Sequence, residues 1–331
     1  MQATTTKPDN TENFDDYKDN IQQNLVLPHT QIISPKDKSL PFGFFIPLAK
    51  AAEVEFTADA KGWKMYEHDF GADTDTAGLI NITHIPEKAK LPITDWLRIV
   101  LVKSTPLLAF HPNQQNRSLA VGNYYSNGAM TEWGEEVEKK RGTSGYFKAT
   151  RHLLYFLDEN NNALHSRPLQ FKAKGGFGGS FGSELRLFNQ EFDRSSFDGG
   201  LGASNSWNEE MKALEVLSVR LSIQQNTLPD GSRGAWSCFV AERIIPTHKH
   251  EMIGVEKLVQ RKNGGQIKLI GADWRSALIG KKSSFGQQIL SNFQEYSDFG
   301  KIIKDVPVVE SVAPTTFSHD LSFEDDTDMP Y

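Results

Sequence analysis

Short apolar runs, broken by glycine, proline, asparagine and aspartate, fill this chain from about Leu25 onward and constrain its fold more than any other feature. Their lengths and their content of Val, Ile, Phe and Tyr favour β-strands, which are short and accept β-branched and aromatic side chains. The runs lie at residues 44–48, 79–82, 96–102, 107–110, 152–157, 164–171, 213–223, 235–245 and 266–270. The sequence therefore predicts a mainly β, β-rich α+β fold.

Turn signals join several of these runs, and a few segments have helical spacing instead. Residues 158–162 and 263–265 are rich in Asp, Asn and Gly and are typical of hairpin turns. Ser284 is placed to cap a helix with one apolar face. That face carries Phe285, Ile289, Leu290 and Phe293. Residues 132–141 and 207–214 are also predicted to be helical.

The charge of the chain is concentrated at its two ends. The formal net charge is −6, yet residues 306–331 alone carry six acids and no Lys or Arg. Residues 1–20 carry five acids and two Lys, so the part between these ends is mildly basic. We expect a disordered arm over residues 1–22, a β-rich domain with helical insertions over residues 23–300, and a disordered acidic tail over residues 301–331.

Several classes of protein are disfavoured by composition. Aromatic residues make up 11% of the chain, which argues against a disordered protein. The longest apolar runs fall well short of the roughly 20 residues of a membrane span, and the N-terminus lacks the apolar core of a signal peptide. Cys238 is the single cysteine and lies in an apolar run, so we expect it to be buried and inert. A reducing, cytoplasmic setting without membrane contact is predicted.

Two stretches combine cations with aromatic residues. Residues 138–174 hold eight cations against three acids, and residues 243–282 hold nine against three. Proteins that bind single strands need cations along the phosphates and aromatic faces on which bases stack. The alternative is a solvated cationic face over a core that uses the aromatics. The candidate nucleic-acid-binding residues are Lys139, Lys140, Arg141, Tyr146, Phe147, Lys148, Arg151, Lys172, Lys174, Trp274 and Arg275.

A strand that continues from the apolar run 164–171 through the two following lysines would divide these side chains between two faces. Because side chains alternate along a strand, Phe171 should face one side while Lys172 and Lys174 face the other.

The densest glycine cluster, residues 174–183, lacks both the Walker pattern and the context of a dinucleotide fingerprint. We interpret it as a loop, either plain or presenting Phe177 and Phe181 to a base or a partner, and backbone binding of phosphate is a further alternative. It resembles a glycine- and phenylalanine-containing stretch in an uncharacterised cyanobacterial family.

Motifs for catalysis or metal binding are weak. His248 and His250 beside Glu251 lack a third well-spaced ligand, which favours a surface loop over a metal site. The sequence contains neither a nucleophile elbow nor a zinc-protease motif, so it predicts no cofactor and favours a non-enzyme. Catalytic groups that come together only in the folded chain leave no sequence motif, so an enzymatic function, such as that of a nuclease, is kept as an alternative.

The chain ends in an acidic run closed by Asp328, Met329, Pro330 and Tyr331. This segment resembles the C-terminal tail of bacterial single-stranded DNA-binding proteins, which is acidic and closes with Asp-Ile-Pro-Phe. Met329 stands in place of Ile and Tyr331 in place of Phe. An aromatic ring can fill an apolar pocket while the terminal carboxylate pairs with an Arg. The candidate partner-binding residues are Asp325, Asp326, Asp328, Met329, Pro330 and Tyr331.

The resemblance implies an OB-like barrel, with a β-sandwich core as the alternative, that binds single-stranded DNA without strong sequence preference. It also implies partners in DNA replication, repair and recombination, recruited through the tail, and an association with the nucleoid. RNA binding and a homo-oligomer stay open. The rival interpretation is a protein-interaction or scaffold module whose acidic tail keeps it soluble.

Overall fold

The structure is a computed structural model that describes residues 27–34, 40–57, 60–67, 77–81, 96–112, 118–197, 213–227, 231–261, 265–280, 282–296 and 299–300. In these residues the chain forms sixteen strands and four α-helices. The strands are β1 (His29–Ile33), β2 (Gly43–Pro47), β3 (Trp63–Glu67), β4 (Ala77–Asn81), β5 (Leu97–Ser104), β6 (Leu108–Pro112), β7 (Ser118–Asn123), β8 (Tyr125–Ser126), β9 (Ala129–Met130), β10 (Phe147–Leu157), β11 (Leu169–Lys174), β12 (Ala213–Thr227), β13 (Arg233–Thr247), β14 (Glu256–Gln260), β15 (Gln266–Asp273) and β16 (Leu278–Gly280). The helices are α1 (Leu48–Glu53), α2 (Glu132–Lys139), α3 (Gly175–Phe197) and α4 (Ser284–Glu295).

Fourteen of the described strands form one mixed sheet. Its main path runs in the order β14-β15-β13-β12-β5-β10-β11-β1-β2-β4-β3. Strand β16 pairs with β12, β6 pairs with β10 and β7, and β8 with β9 forms a separate hairpin. The pairs β1–β11 and β13–β15 are parallel, and the other pairs are antiparallel. The prediction of a mainly β, β-rich α+β fold is confirmed.

The sheet coils around its core. Strands β3 and β10 are five positions apart in the strand order, which would separate them by roughly 24 Å in a flat sheet. Yet the rings of Trp63 on β3 and Phe156 on β10 meet edge to face, with centroids 4.8 Å apart. Phe44 on β2 likewise contacts Phe156 at 5.2 Å. The described part of the chain therefore encloses an aromatic-rich core within one curved sheet.

Strand β10 lies at the centre of this arrangement because both of its faces are apolar over its second half. Leu154 and Phe156 point into the large core, whereas Leu153 and Tyr155 point into a second apolar cluster that includes Phe285 of α4. The first half of β10 is only half-buried. Cationic side chains on the outer face of this first half of β10 can therefore keep part of their hydration.

A buried ion cluster fixes α3 against β13. The guanidinium of Arg243 is fully buried and donates to Glu184 at 3.1 Å and to Glu191 at 2.5 and 3.0 Å. Arg261 donates to the other oxygen of Glu184 at 3.1 Å. Two guanidinium groups thus balance two carboxylates, the condition under which buried charges are tolerated.

Several local predictions are confirmed. Helix α2 begins at Glu132, as expected for residues 132–141, and the 158–162 turn is closed by a hydrogen bond from Asp158 N to Asn162 O of 2.9 Å. Strands β14 and β15, on either side of the predicted 263–265 turn, pair antiparallel, and residues 262–264 themselves lie outside the described residues. Cys238 is buried.

The helix predicted near Ser284 is present, but its cap differs. Ser283, not Ser284, caps it, because the Ser283 hydroxyl accepts a hydrogen bond from Gly286 N at 3.0 Å. The helix predicted over residues 207–214 is wrong at its end, where residues 213 and 214 begin strand β12. Residues 207–212, the first 26 residues and residues 301–331 lie outside the described residues.

Candidate nucleic-acid interface

Three cations share one face of the β10–β11 pair. Arg151 on β10 lies directly opposite Lys172 on β11, and Ala149 lies opposite Lys174, so the three cationic side chains stand on the same side of the sheet. Phe171, the residue before Lys172, is buried in the core on the other side. The predicted alternation along this strand is confirmed.

A stacked pair of rings lies beside these cations. Phe110 on β6 and Phe147 on β10 are nearly parallel, with centroids 4.7 Å apart and an interplanar angle of 8°. Lys172 Nζ lies 4.8 Å from the Phe110 centroid, and Lys174 Nζ lies 5.2 Å from that of Phe147. We call Phe147, Arg151, Lys172 and Lys174, together with the buried Phe110 that stacks on Phe147, the cation–aromatic surface.

The cations of this surface repel one another. Burial, followed by the neighbouring charges of Lys174 and Arg151, lowers the pKa of Lys172 to about 8. Within the described part of the chain, none of the three cations forms an ion pair with a carboxylate. A bound anion would relieve this repulsion.

Arg151 is held in place by neutral groups. Its Nη2 donates to Gln170 Oε1 at 2.7 Å, and its guanidinium lies 5.0 Å from the ring centroid of Phe299. Its Nε is buried and has no hydrogen-bond partner among the described residues. Burial lowers the pKa of Arg151, which nevertheless stays charged at neutral pH. The charge of this guanidinium is therefore compensated only partly by its surroundings.

The predicted cations around α2 have a different environment, because each has an acidic neighbour. Lys139 Nζ lies 3.6 Å from Glu135, and Lys140 Nζ lies 2.9 Å from Glu136. Lys140 also donates to the Tyr146 hydroxyl at 2.8 Å and lies over the Tyr146 ring. These cations can bind phosphates only if their existing ion pairs with glutamates break.

Lys148 belongs to the same acid-compensated group, on the opposite side of β10 from Phe147. Its Nζ lies 3.2 Å from Glu138, which also accepts a hydrogen bond from the Tyr124 hydroxyl. The Tyr124 hydroxyl and Lys148 together hold the pKa of Glu138 below its ordinary value. Arg141 is exposed just after α2. The predicted cations of residues 138–174 therefore fall on two separate faces.

The interpretation of residues 174–183 as a loop is wrong. These residues form the end of β11 and the first turns of α3, and both Phe177 and Phe181 are buried in the core against Phe44. Gly178 allows this packing, because a Cβ there would lie 2.6 Å from the backbone of Ala173. In this conformation neither Phe ring can stack on a base.

Trp274 and Arg275 lie far from the cation–aromatic surface. They belong to a short 3-10 turn whose Ser276 carbonyl accepts a hydrogen bond from Arg98 at 3.0 Å. Arg98 pairs with Leu157 at the far end of β10, eight residues from Ala149. That spacing corresponds to roughly 25 Å along the strand. The structure does not bring these two predicted residues together with the other candidates.

Two features of the site are absent from the sequence prediction. Phe110 lies in a predicted strand, but nothing in its local sequence links it to Phe147. The buried face of α3 carries Phe177, Phe181, Glu184, Phe188 and Glu191 at helical spacing, which is the signal that identifies this segment as a helix. The six candidate residues of the tail lie outside the described residues.

The fold and this surface define a mainly β protein with a cationic, aromatic outer face. The chain belongs to a family described as a domain of unknown function, DUF5895, whose family model matches residues 24–251. That match includes the whole cation–aromatic surface. No curated protein and no solved structure matches the chain.

Two kinds of feature are absent from the described residues. They contain no group of three or more His, Cys, Asp or Glu side chains able to hold a metal ion. Among the helices that can be described, none is both long and apolar enough to span a membrane.

Proposed function

We propose that this protein binds single-stranded DNA, with little sequence preference, through the cation–aromatic surface. The observation that carries the proposal is the trio Arg151, Lys172 and Lys174 on one sheet face, without carboxylate partners in the described part of the chain. Phosphate groups would supply the missing counter-charges. Such contacts depend on charge and not on base identity.

The neighbouring rings favour a single strand over a duplex. Phe147 is half-buried at the start of β10, and its ring stacks on that of Phe110, its direct neighbour across the strand pair. An unpaired base can stack on such a ring, whereas bases within a duplex are already stacked on each other. Cations spaced along two adjacent strands can follow the backbone on either side of that base.

The acidic C-terminus completes the proposal. Tyr331 and its carboxylate would anchor in a pocket of a DNA-processing protein, and the preceding acids would meet a basic rim there. In the absence of DNA, the same acids would compete for the cation–aromatic surface. The protein would thereby bring its partners to exposed single strands in the cytoplasm, at the nucleoid.

A gel-shift comparison of labelled single-stranded DNA, duplex DNA and RNA of equal length tests the proposal. Tightest binding to single-stranded DNA, with similar affinities for different base compositions, supports it. Absence of a shift for all three at low salt would contradict it and favour the scaffold interpretation. Loss of the label in the presence of Mg²⁺ would indicate a nuclease instead.

A further inference from the structure

One lysine of the cation–aromatic surface lies beside apolar rings and other cations. Lys172 Nζ is 4.8 Å from the ring centroid of Phe110 and 5.5 Å from that of Phe147. Arg151 lies directly opposite Lys172, and Lys174 follows two residues later on the same face. A lysine amine that is desolvated and placed beside other cations loses its proton readily, and the neutral amine is a nucleophile. Lys172 therefore has the surroundings of a reactive lysine.

The amine of Lys172 is available to a ligand. Within the described part of the chain, Lys172 Nζ forms neither an ion pair nor a hydrogen bond, and the side chain is only half-buried. Because the pKa of Lys172 is about 8, roughly a tenth of this amine is neutral at pH 7. That fraction is roughly two to three hundred times larger than in an ordinary lysine. Lys139 and Lys140, in contrast, are paired with glutamates.

A nucleophilic amine on a surface that binds DNA needs an electrophilic carbon to react with. The bases, sugars and phosphates of an intact strand offer no aldehyde or ketone. Loss of a base changes this, because the remaining deoxyribose opens to a form that carries an aldehyde at C1′. Lysine amines form Schiff bases with such carbonyl groups. The abasic site is therefore the part of a DNA strand that matches the chemistry of Lys172.

The neighbours of Lys172 suit the rest of an abasic nucleotide. The Cα atoms of Lys172 and Lys174 are roughly 6.6 Å apart along β11, and that of Arg151 is roughly 5 Å away across the strand pair. Cations on two sides of the amine can hold the phosphates on either side of the damaged sugar. An adjacent base can stack on Phe147. The damaged sugar has no base of its own to unstack, so moving it onto the amine costs little.

We infer that Lys172 captures abasic sites in single-stranded DNA as a Schiff base. Nζ adds to C1′ of the aldehyde, a proton passes from the nitrogen to the former carbonyl oxygen, and loss of water leaves the imine. Amine and aldehyde thus give imine and water, and the reaction needs neither an oxidant nor a reductant. The inference rests on the proposed function, because DNA binding is what brings the aldehyde to this surface.

Reductive trapping tests the inference. Full-length protein is mixed at pH 7 with a labelled single-stranded oligonucleotide that carries one central abasic site, and sodium cyanoborohydride reduces any imine to a stable amine. The unmodified protein and Lys174→Arg should both form a covalent complex. Its yield should fall roughly tenfold or more in Lys172→Arg, because arginine keeps the positive charge but stays protonated.

Controls establish the chemistry and the position of the adduct. An intact oligonucleotide should give no covalent complex, and neither should the abasic oligonucleotide whose aldehyde has first been reduced to an alcohol. Mass spectrometry of a digest of the unmodified complex should locate the adduct on Lys172, a result that does not depend on the folding of any variant. Circular dichroism compares the folding of the two arginine variants.

The outcomes distinguish this inference from the proposed function. Equal yields from the unmodified protein and Lys172→Arg, or an adduct located mainly on other lysines, would overturn the inference. Fluorescence anisotropy with the intact oligonucleotide reports separately on DNA binding. Binding without trapping would overturn the inference alone, whereas failure to bind either oligonucleotide would contradict the proposed function and this inference with it.

Discussion

Arg151 and Lys172 lie directly opposite each other across the β10–β11 pair, so that two like charges occupy a position where sheets normally place opposite charges. Their repulsion costs stability in the free protein, and Lys174 adds to it. A polyanion bound at this face would turn that repulsion into attraction. The arrangement is therefore more readily explained by a ligand than by folding.

The first prediction concerns the pH dependence of DNA binding. Because the pKa of Lys172 is lowered to about 8, this side chain is mostly neutral above that pH and charged below it. Affinity for oligo-dT should rise about tenfold between about pH 9 and pH 7 if one proton is coupled to binding. Lys172→Arg stays charged throughout and should flatten the profile. Identical profiles for both proteins would contradict the role of Lys172.

The second prediction concerns stacking. Phe147→Leu keeps an apolar side chain but removes the ring, so affinity should fall by about 1–3 kcal/mol, roughly 5- to 150-fold, on oligonucleotides of any base. Tyr146→Leu is the matched control, because Tyr146 lies on the opposite side of β10 and contacts Lys140. Fluorescence anisotropy measures both. Equal losses for the two variants would mean that no base stacks on Phe147.

The third prediction concerns acid stability. His165 is buried and neutral: its Nε2 accepts from Phe156 N at 2.9 Å, and Nδ1 bonds Arg167 O at 2.6 Å. Burial lowers the pKa of His165, and likewise that of His152, to about 4. The unfolded chain therefore binds more protons between about pH 6.5 and pH 4, and the free energy of unfolding should fall as pH falls through that window.

The size of this effect is about 3 kcal/mol per histidine by pH 4, with little change above pH 7. Urea unfolding at several pH values measures it. His165→Gln should be less stable at neutral pH but should lose less stability on acidification. A variant whose stability falls as steeply as that of the unmodified protein would refute the assignment to His165.

The fourth prediction concerns the tail. Deleting residues 321–331 removes four acidic side chains, so single-stranded DNA should bind more tightly, most visibly at low salt. Tyr331→Ala leaves every acid in place and should leave DNA affinity unchanged while abolishing partner capture. Pull-downs from cell extract compare the two proteins. The same DNA-processing proteins captured with and without the Tyr331 ring would refute the anchoring role.

The sequence predicts those features of the structure that depend on residues close together in the chain better than those that depend on contacts between distant segments. Alternation in β11 is local, and it placed Phe171 and Lys172 on the correct faces. The proximity of Arg151 to Lys172 depends on register across a hairpin, which the 158–162 turn suggests but does not specify. The prediction for Phe177 is wrong because its glycine-rich local sequence favours a loop, whereas packing against Phe44 in the tertiary structure favours the helix.

The measurement that tests the central claim most directly is the salt dependence of oligo-dT affinity in two matched double variants. Lys172→Gln with Lys174→Gln, and Lys139→Gln with Lys140→Gln, each remove two positive charges, but among the described residues acidic partners are found for the latter two lysines alone. The first variant should bind all sequences more weakly, with a log–log salt slope reduced by about two, and the second should stay close to the unmodified protein. Unchanged affinity and slope in the first variant, or equal losses in both, would contradict binding at the cation–aromatic surface.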